Sequence, residues 1–284
     1  MTRIAPPLRE LFLPLVDAAL AEDVGSGDAT TLAVVPAALG AEGEILAKAE
    51  GVLAGLPVAR EVFLRVDPNL AVELDAEDGD RVRPGQTVAR IRGRARGILT
   101  AERTALNFLQ HLSGIATATS RLAGRLEGTP TRLLDTRKTV PALRHLAKYA
   151  VRCGGGENHR QGLYDMLLIK ENHIAAAGSV TAALTRARAT VATDVLIEIE
   201  VENLDQLHEA LGAGATRILL DNFDLERLAA AVRATAGRAT LEASGGVTLD
   251  NIRAIAETGV DFISVGSLTK HLRAIDLSMR FLPH

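Results

Sequence analysis

The spacing of apolar residues changes near residue 130 of the chain. Before that point, residues 8–22 carry apolar side chains every three to four positions, which predicts a helix, and further helices are expected at 60–66 and 99–112. Glycine and aspartate dominate residues 23–31, which indicates a turn-rich loop. Short apolar runs between these segments predict strands at 43–49, 51–55, 70–74, 81–82 and 87–93.

From residue 132 onward, short continuous apolar runs alternate with helical segments. Such runs are typical of parallel strands buried on both faces, here at 132–135, 166–170, 195–200, 217–221, 240–244 and 262–266. Helices are expected at 141–151, 224–232 and 248–257, with another that Asn203 or Asp205 caps and that ends at Leu211. Six strand–helix units in succession favour an α/β barrel, complete or incomplete, over an open doubly wound sheet.

Composition and charge narrow the class of protein. The 284 residues are 47% hydrophobic and 24% charged, as in globular proteins of one large or two modest domains. A net charge of −3 gives no electrostatic reason to expect nucleic-acid binding. The single cysteine excludes an internal disulfide, and no window approaches the roughly 18 apolar residues of a membrane span. We therefore expect a cytoplasmic enzyme or small-molecule binding protein.

Basic residues gather where the first two strands of the repeating region end. Seven basic and two acidic residues lie between Thr136 and Lys170, which indicates a polyanionic small ligand in a chain of negative net charge. Arg137 and Arg160 can bind carboxylate or phosphate in bidentate fashion. Lys138 and Lys170 would act as point charges. Arg144, Lys148 and Arg152 are spaced by four residues. These three are expected instead to cover one exposed helix face.

Carboxylates and glycines follow the later strands. Glu200 and Asp221 end neighbouring strands and can bind Mg²⁺, directly or through water, although salt bridges within the barrel would also explain them. The backbone N–H groups of residues 244–246, near the expected start of the 248–257 helix, can hold a phosphate. Gly266 follows the last strand, and the loops after the last strands are the usual phosphate position in barrels.

The glycine-rich segment 154–160 is expected to be a polar loop that closes over a ligand. Within it, His159 can hydrogen-bond a substrate carboxylate beside Arg160. Cys153 is expected to be a packing residue, because no base lies near it in the sequence. The remaining histidines lack the spacing of metal ligands and are expected to be structural: His111, His145, His173, His208, His271 and His284.

Motifs along nearly the whole chain resemble, in order, those of quinolinate phosphoribosyltransferase. They are residues 22–28, 101–107, 134–139, 148–156, 158–160, 163–165, 168–174, 198–202, 219–222, 242–246 and 264–269. The resemblance implies transfer of a phosphoribosyl group from 5-phosphoribosyl 1-diphosphate to quinolinate with decarboxylation. The products are nicotinate mononucleotide, CO2 and diphosphate. This is glycosyltransferase chemistry of de novo NAD (pyridine nucleotide) biosynthesis, with Mg²⁺ as the implied cofactor.

The resemblance also implies an α/β fold: an open α/β barrel at 113–269 and an N-terminal α/β sandwich domain at 1–112, to which about 270–284 returns. It implies a homodimer, alone or within a larger oligomer, in which Arg103 enters the partner subunit's site. The implied catalytic residues are Lys138, Lys170, Glu200 and Asp221, the two acids serving the metal. The implied substrate-binding residues are Arg103, Thr136, Arg137, Lys138, His159, Arg160, Lys170, Ser244, Gly245, Gly246, Val265, Gly266 and Ser267.

Two segments depart from the family's usual pattern: Thr-Val-Pro-Ala at 139–142, and Lys-His-Leu-Arg at 270–273, which leaves the contacts of the last loop open. Three other functions also remain open. The chain could be a paralogous phosphoribosyltransferase for another anionic acceptor, a Schiff-base lyase that uses Lys170, or a protein that binds anions without turnover. The lyase leaves the arginines unexplained, and simple anion binding leaves Glu200 and Asp221 unexplained.

Overall fold

The computed structural model describes residues 4–192 and 195–283. Its strands are β1 (Gly40–Ala47), β2 (Gly51–Val52), β3 (Ala71–Leu74), β4 (Arg81–Val82), β5 (Thr87–Arg94), β6 (Arg132–Leu134), β7 (Leu167–Ile169), β8 (Ile197–Val201), β9 (Arg217–Asp221), β10 (Thr240–Ser244), β11 (Phe262–Ser264) and β12 (Leu277–Pro283). Its helices are α1 (Arg9–Val24), α2 (Ala29–Val34), α3 (Leu56–Val66), α4 (Ala95–Arg125), α5 (Arg144–Cys153), α6 (Glu171–Ala177), α7 (Val180–Thr190), α8 (Leu204–Gly212), α9 (Leu225–Thr235), α10 (Ile252–Glu257) and α11 (Ser267–Lys270).

The chain forms two compact units. The first comprises Met1–Ser120, Thr139–Gly155 and Leu268–His284, and the second comprises Arg121–Lys138 and Gly156–Ser267. The first unit contains a four-stranded antiparallel sheet in the order β12-β1-β5-β3, and the short β2–β4 pair. Burial alternates along β1, because successive side chains of a strand point to opposite faces of the sheet.

Three elements of the first unit differ from the sequence prediction. Helix α4 runs far beyond 99–112, because its apolar face stays buried from Ala95 to Leu122. Residues 23–31 are not one loop, since Asp28 caps α2 by accepting the Thr31 N–H at 2.9 Å. The predicted strand 51–55 is paired only at β2, and α3 begins shortly after it, with proline in the first turn.

Asp78 ties two segments of the first unit together. Its carboxylate accepts the N–H groups of Gly55 at 2.8 Å and Leu56 at 3.0 Å, and the Tyr149 hydroxyl at 2.7 Å. Burial raises the pKa of Asp78, and these three donors offset part of its desolvation. The start of α3 and the middle of α5 are thereby fixed to the loop before β4.

Helix α5 corrects a prediction about the basic residues. It begins at Arg144 rather than at 141, and residues 146–151 are all buried, so the middle of this helix has no exposed face. Lys148 is only 2% exposed, and the expectation that it lies on a solvated face is wrong. Cys153 is buried, and burial raises the pKa of its thiol to about 12, which confirms a packing residue.

The second unit contains a six-stranded parallel sheet in the order β6-β11-β10-β9-β8-β7. The predicted α/β class is confirmed, and the bounds of β9 and β10 match the prediction to the residue. Within the described ranges β6 and β7 do not pair with each other, so the sheet is open. Helix α10 begins at Ile252 rather than at 248, because the Asn251 side chain accepts the Thr248 N–H in a turn.

Within the described residues, side-chain caps start three of the helices that connect these strands, and Ser179 caps the first of the three, α7. Asn203, rather than Asp205, caps α8, and Asp224 caps α9. No helix in the described ranges combines the length and the apolar character that a bilayer-spanning segment requires.

Candidate active site

A cavity of about 470 Å³ in the second unit brings together most of the residues predicted from the strand ends. These are Thr136, Arg137, Lys138, His159, Arg160, Lys170, Glu200, Asp221, Ser244, Gly245 and Gly246. The cavity is also lined by Leu168, Leu219, Asn222, Glu242 and Ser264.

Strand alternation explains which residues reach the cavity. Leu219 and Asp221 of β9, and Glu242 and Ser244 of β10, are separated by two positions and therefore point to the same face of the sheet. Glu200 and Glu242 both lie opposite Leu219 in the strand register. The cavity is thus built on one polar face of a sheet whose strands were predicted to be apolar on both faces.

The cationic side of the cavity comes from the loops after β6 and α5. The Lys138 N–H donates to Thr136 Oγ1 at 3.1 Å, which shapes the turn after β6. Gly266 packs closely beside it, because a Cβ there would lie 2.8 Å from Lys138 Cδ and the lysine side chain would have to shift. Burial and the nearby Arg137 charge lower the pKa of Arg160, so two guanidinium groups share a partly desolvated space.

Lys170 and Glu200 form an ion pair, with 2.6 Å between Nζ and Oε2. The backbone of Lys170 is fixed as well, since its N–H donates to His173 Nδ1 at 2.9 Å. The lyase hypothesis leaves Arg137 and Arg160, which line the same cavity, unexplained.

Asp221 lies where the loop after β9 packs closely against the loop after β10. Asn222 donates from Nδ2 to Asp221 Oδ2 at 2.8 Å and has a left-handed φ of 56°. Only glycine fits at position 245, because a Cβ there would lie 2.1 Å from Asn222 Oδ1. Gly245 and Gly246 both have positive φ, and successive N–H groups in such a turn can form an anion-binding concavity.

A chain of four ionisable side chains, two buried and two half-buried, lies beside the cationic residues. His159 Nε2 is 2.9 Å from Glu198 Oε2 and 3.5 Å from Glu242 Oε2. Arg217 donates to both carboxylates, at 2.8 Å to Glu198 and 3.0 Å to Glu242. Burial would raise the pKa of Glu198, yet the hydrogen bonds of His159 and Arg217 lower it. Burial and the Glu198 charge raise the pKa of Glu242 to about 7.

Four predicted site residues do not line this cavity. Arg103 belongs to α4 in the first unit, where it is exposed. Val265 is buried and donates its N–H to the Leu134 carbonyl, while Gly266 contacts Lys138 and Ser267 begins α11.

Sequence reasoning missed Glu198, Arg217, Asn222, Glu242 and Ser264. The detectable signal was alternation, because Ile-Glu-Ile-Glu at 197–200 places both glutamates on one face of a strand.

Comparison with known proteins identifies the family. Residues 28–113 match the model of the quinolinate phosphoribosyl transferase N-terminal domain, and residues 115–280 match that of its C-terminal domain. The chain is 43% identical over 258 residues to a probable nicotinate-nucleotide pyrophosphorylase (carboxylating) of Bacillus subtilis (strain 168), covering 91% of this chain and 89% of that protein.

Solved structures agree. NadC from Streptococcus pyogenes superposes with a TM-score of 0.96 at 41% identity, covering 99% of both chains. Nicotinate-nucleotide pyrophosphorylase from Francisella tularensis gives a TM-score of 0.94 at 43% identity, again covering 99% of both chains. The chain therefore belongs to the quinolinate phosphoribosyl transferase family.

Proposed function

We propose that this protein transfers the phosphoribosyl group of 5-phosphoribosyl 1-diphosphate to quinolinate, with release of CO2 and diphosphate and formation of nicotinate mononucleotide, in NAD biosynthesis. The observation that carries the proposal is the convergence of Arg137, Lys138, Arg160 and Lys170 on one cavity that also holds Glu200 and Asp221. Both reactants are multiply anionic and repel each other, so a shared cationic cavity is the main requirement for bringing them together.

Arg137 and Arg160 suit the quinolinate end. Quinolinate carries two adjacent carboxylates, and planar guanidinium groups bind carboxylates in bidentate fashion. Burial and the repulsion from Arg137 lower the pKa of Arg160, and a dianion between the two guanidinium groups would relieve that repulsion. A monocarboxylate would relieve less of this repulsion and would bind more weakly.

Lys138, Lys170 and the Ser244-Gly245-Gly246 turn suit the donor end. The lysines supply point charges for the diphosphate, and the N–H groups of the turn suit a phosphate. Asn251 Nδ2 donates to the Gly246 carbonyl at 2.9 Å, which supports the turn. Gly266 and Ser267 would complete the 5′-phosphate site.

The acidic residues fit a magnesium ion. Partial desolvation and nearby carboxylates raise the pKa of Glu202, and those neighbours are Glu171, Asp221 and Glu200. This region therefore holds several carboxylates beside Lys170. Mg²⁺ is commonly held by one or two carboxylates together with waters and substrate phosphates, so Glu200 and Asp221 would hold it. When bound, the ion would neutralise charge that develops on the leaving diphosphate.

The chemistry requires no nucleophile from the protein. The quinolinate nitrogen attacks C1 of the ribose through an oxocarbenium-like state as the C1–O bond to diphosphate breaks. The quaternised ring then accepts the electron pair of the C2–carboxylate bond, CO2 leaves, and a proton replaces it at C2. Arg137 and Arg160 orient the ring, while Lys138 and Lys170 stabilise the leaving group electrostatically.

The family relationship supports a homodimer in which Arg103 enters the site of the partner subunit. Exposure of Arg103 on α4 is compatible with this role. We also propose a cytoplasmic location for the enzyme.

Product analysis tests the proposal. The protein is mixed with Mg²⁺, donor and quinolinate labelled in its 2-carboxylate. We expect labelled CO2, diphosphate and nicotinate mononucleotide in equal amounts, and no CO2 without donor. Release of CO2 without diphosphate, or no turnover with quinolinate, would refute the activity.

Arg137→Ala tests the cationic site in the same assay. It should cost about 2 kcal/mol or more of transition-state binding, because it removes a charged partner of the substrate. Arg227→Ala is the matched control, since Arg227 is an exposed arginine of α9 that pairs with Asp224 and does not line the cavity.

A further inference from the structure

Both ring nitrogens of His159 are engaged by the protein, and the ring is only 7% exposed. The Arg160 N–H donates to His159 Nδ1 at 2.8 Å. A backbone N–H is always a donor, so Nδ1 offers its lone pair and carries no proton. The ring proton therefore lies on Nε2, which donates to Glu198 Oε2 at 2.9 Å.

The acceptor of that proton is itself fixed. Glu198 is completely buried, and its other oxygen accepts Arg217 Nε at 2.8 Å. Arg217 is held in turn by Glu242 at 3.0 Å and by the Phe262 ring, 4.7 Å from its guanidinium carbon. The His159 ring is thus attached to the interior of the parallel sheet and not to a mobile surface group.

The backbone around His159 is anchored by Asp135. This carboxylate is fully buried at the end of β6, and it accepts the His159 N–H at 2.9 Å and Asn158 Nδ2 at 2.7 Å. Two separate buried carboxylates, Asp135 and Glu198, therefore fix the residue immediately before Arg160.

We infer that His159 is a positioning residue for Arg160, acting as a neutral Nε2–H imidazole that fixes the Arg160 main chain to the buried Glu198–Arg217 pair. Arg160 then presents its guanidinium to a substrate carboxylate in a set orientation. The identity of that carboxylate as quinolinate depends on the proposed function. In this role His159 does not itself bind the substrate carboxylate, which is the role that the sequence predicts for it.

A metal ion bound by His159, Glu198 and Glu242 would also explain why these side chains lie together, but their contacts favour it less. The ligand atoms of His159, Glu198 and Glu242 lie within 4.8 Å of one another, which would suit a cation. Arg217 already donates to both carboxylates, however, and supplies the positive charge that a metal would bring.

The first test reads the ring directly. Two-bond ¹H–¹⁵N NMR of histidine-labelled protein, with the His159 ring assigned through its own backbone resonances, reports which nitrogen is protonated. We expect a single proton on Nε2, both in the free protein and after addition of quinolinate alone. A doubly protonated ring, or a proton on Nδ1, would overturn the inference. This measurement needs no turnover, so it stands apart from the proposed activity.

The second test separates the two hydrogen bonds of the His159 ring, namely the one that Nδ1 accepts from the Arg160 N–H and the one that Nε2 donates to Glu198. His159→Gln places an amide near Nε2 and loses the acceptor for the Arg160 N–H, whereas His159→Asn places an amide oxygen near Nδ1 and loses the contact with Glu198. We expect His159→Gln to raise the KM for quinolinate about ten-fold, the effect of one lost buried hydrogen bond. The KM for the phosphoribosyl donor should change by less than about two-fold, and His159→Asn should have the smaller effect.

His208→Asn is the matched control, because His208 is an exposed histidine on α8. An unchanged quinolinate KM in His159→Gln, or an equal rise in both KM values, would overturn the positioning role. If both variants fail to fold, the NMR measurement on the unaltered protein still decides. If the unaltered protein makes no product, the proposed activity fails while the ring assignment remains testable.

Discussion

Lys170 Nζ lies 2.6 Å from Glu200 Oε2, so a cation assigned to the donor diphosphate is paired directly with a carboxylate assigned to Mg²⁺. The Glu200 side chain is 11% exposed and that of Lys170 is 47% exposed. Because water reaches Glu200 less, its charge depends on the ion pair for compensation more than the charge of Lys170 does. Binding of the metal–diphosphate complex would bring a cation to Glu200 and an anion to Lys170. The pair would therefore link the proposed metal site with the proposed diphosphate site.

Lys170→Ala should weaken donor binding. It removes a point charge from the diphosphate and leaves Glu200 without its partner, and we expect a loss of about 1–2 kcal/mol because Lys170 is half exposed. The KM for the donor, measured at saturating quinolinate, checks this. Lys48→Ala, at an exposed lysine in the first unit, is the control. Equal donor KM values in the two variants would remove Lys170 from the binding site.

Glu242 should make stability depend on pH. Its pKa in the folded protein is about 7, above the ordinary 4.5, so it holds a proton that the unfolded chain loses first. The stabilisation is complete below the unfolded pKa and is lost as the pH rises through the folded one. As the pH rises from about 5 to about 7.5, the stability of Glu242→Gln should therefore increase relative to that of the unaltered protein.

Urea denaturation at these two pH values measures the Glu242 effect. Glu226→Gln, at an exposed position of α9, controls for the loss of a carboxylate. A stability difference between Glu242→Gln and the unaltered protein that does not change with pH would contradict the raised pKa of Glu242.

Tyr149→Phe should destabilise the first unit. The hydroxyl donates to the buried Asp78 carboxylate at 2.7 Å, and its loss should cost about 1–3 kcal/mol of the free energy of unfolding. The only other tyrosine, Tyr164, is 78% exposed, and Tyr164→Phe should stay within about 0.5 kcal/mol of the unaltered protein. Equal stability of the two variants in guanidinium denaturation would show that Asp78 does not depend on Tyr149.

Arg103 should act in the partner subunit. Arg103→Ala and Lys138→Ala homodimers should each be nearly inactive, whereas subunits of the two variants, unfolded and refolded together, should regain about a quarter of full activity through mixed dimers with one intact site. Each variant refolded alone is the control. Absence of recovery in verified mixed dimers would exclude the exchange of Arg103.

The sequence predicted the second unit better than the first. Runs such as Arg217–Asp221 and Thr240–Ser244 are short, apolar and bounded by polar residues, and the structure has strands with those bounds. Helix α4 and the burial of Lys148 depend instead on packing against residues distant in sequence, which local spacing does not report.

Within the site, strand ends were informative and strand interiors were not. Arg137, Lys138 and Lys170 follow apolar runs and could be identified from that position. Glu198 and Glu242 lie inside strands that the sequence predicts as apolar runs, and Arg217 begins one. Their pairing joins residues 19 and 25 positions apart, so it depends on the order of strands in the sheet.

A crystal structure of the protein with quinolinate would show directly whether the arginines hold this substrate. We expect both carboxylates of quinolinate in the cavity of the second unit, in hydrogen-bond contact with Arg137 and Arg160, with the His159 ring still bonded to Glu198. Quinolinate bound elsewhere, or bound without contact to either arginine, would contradict this expectation.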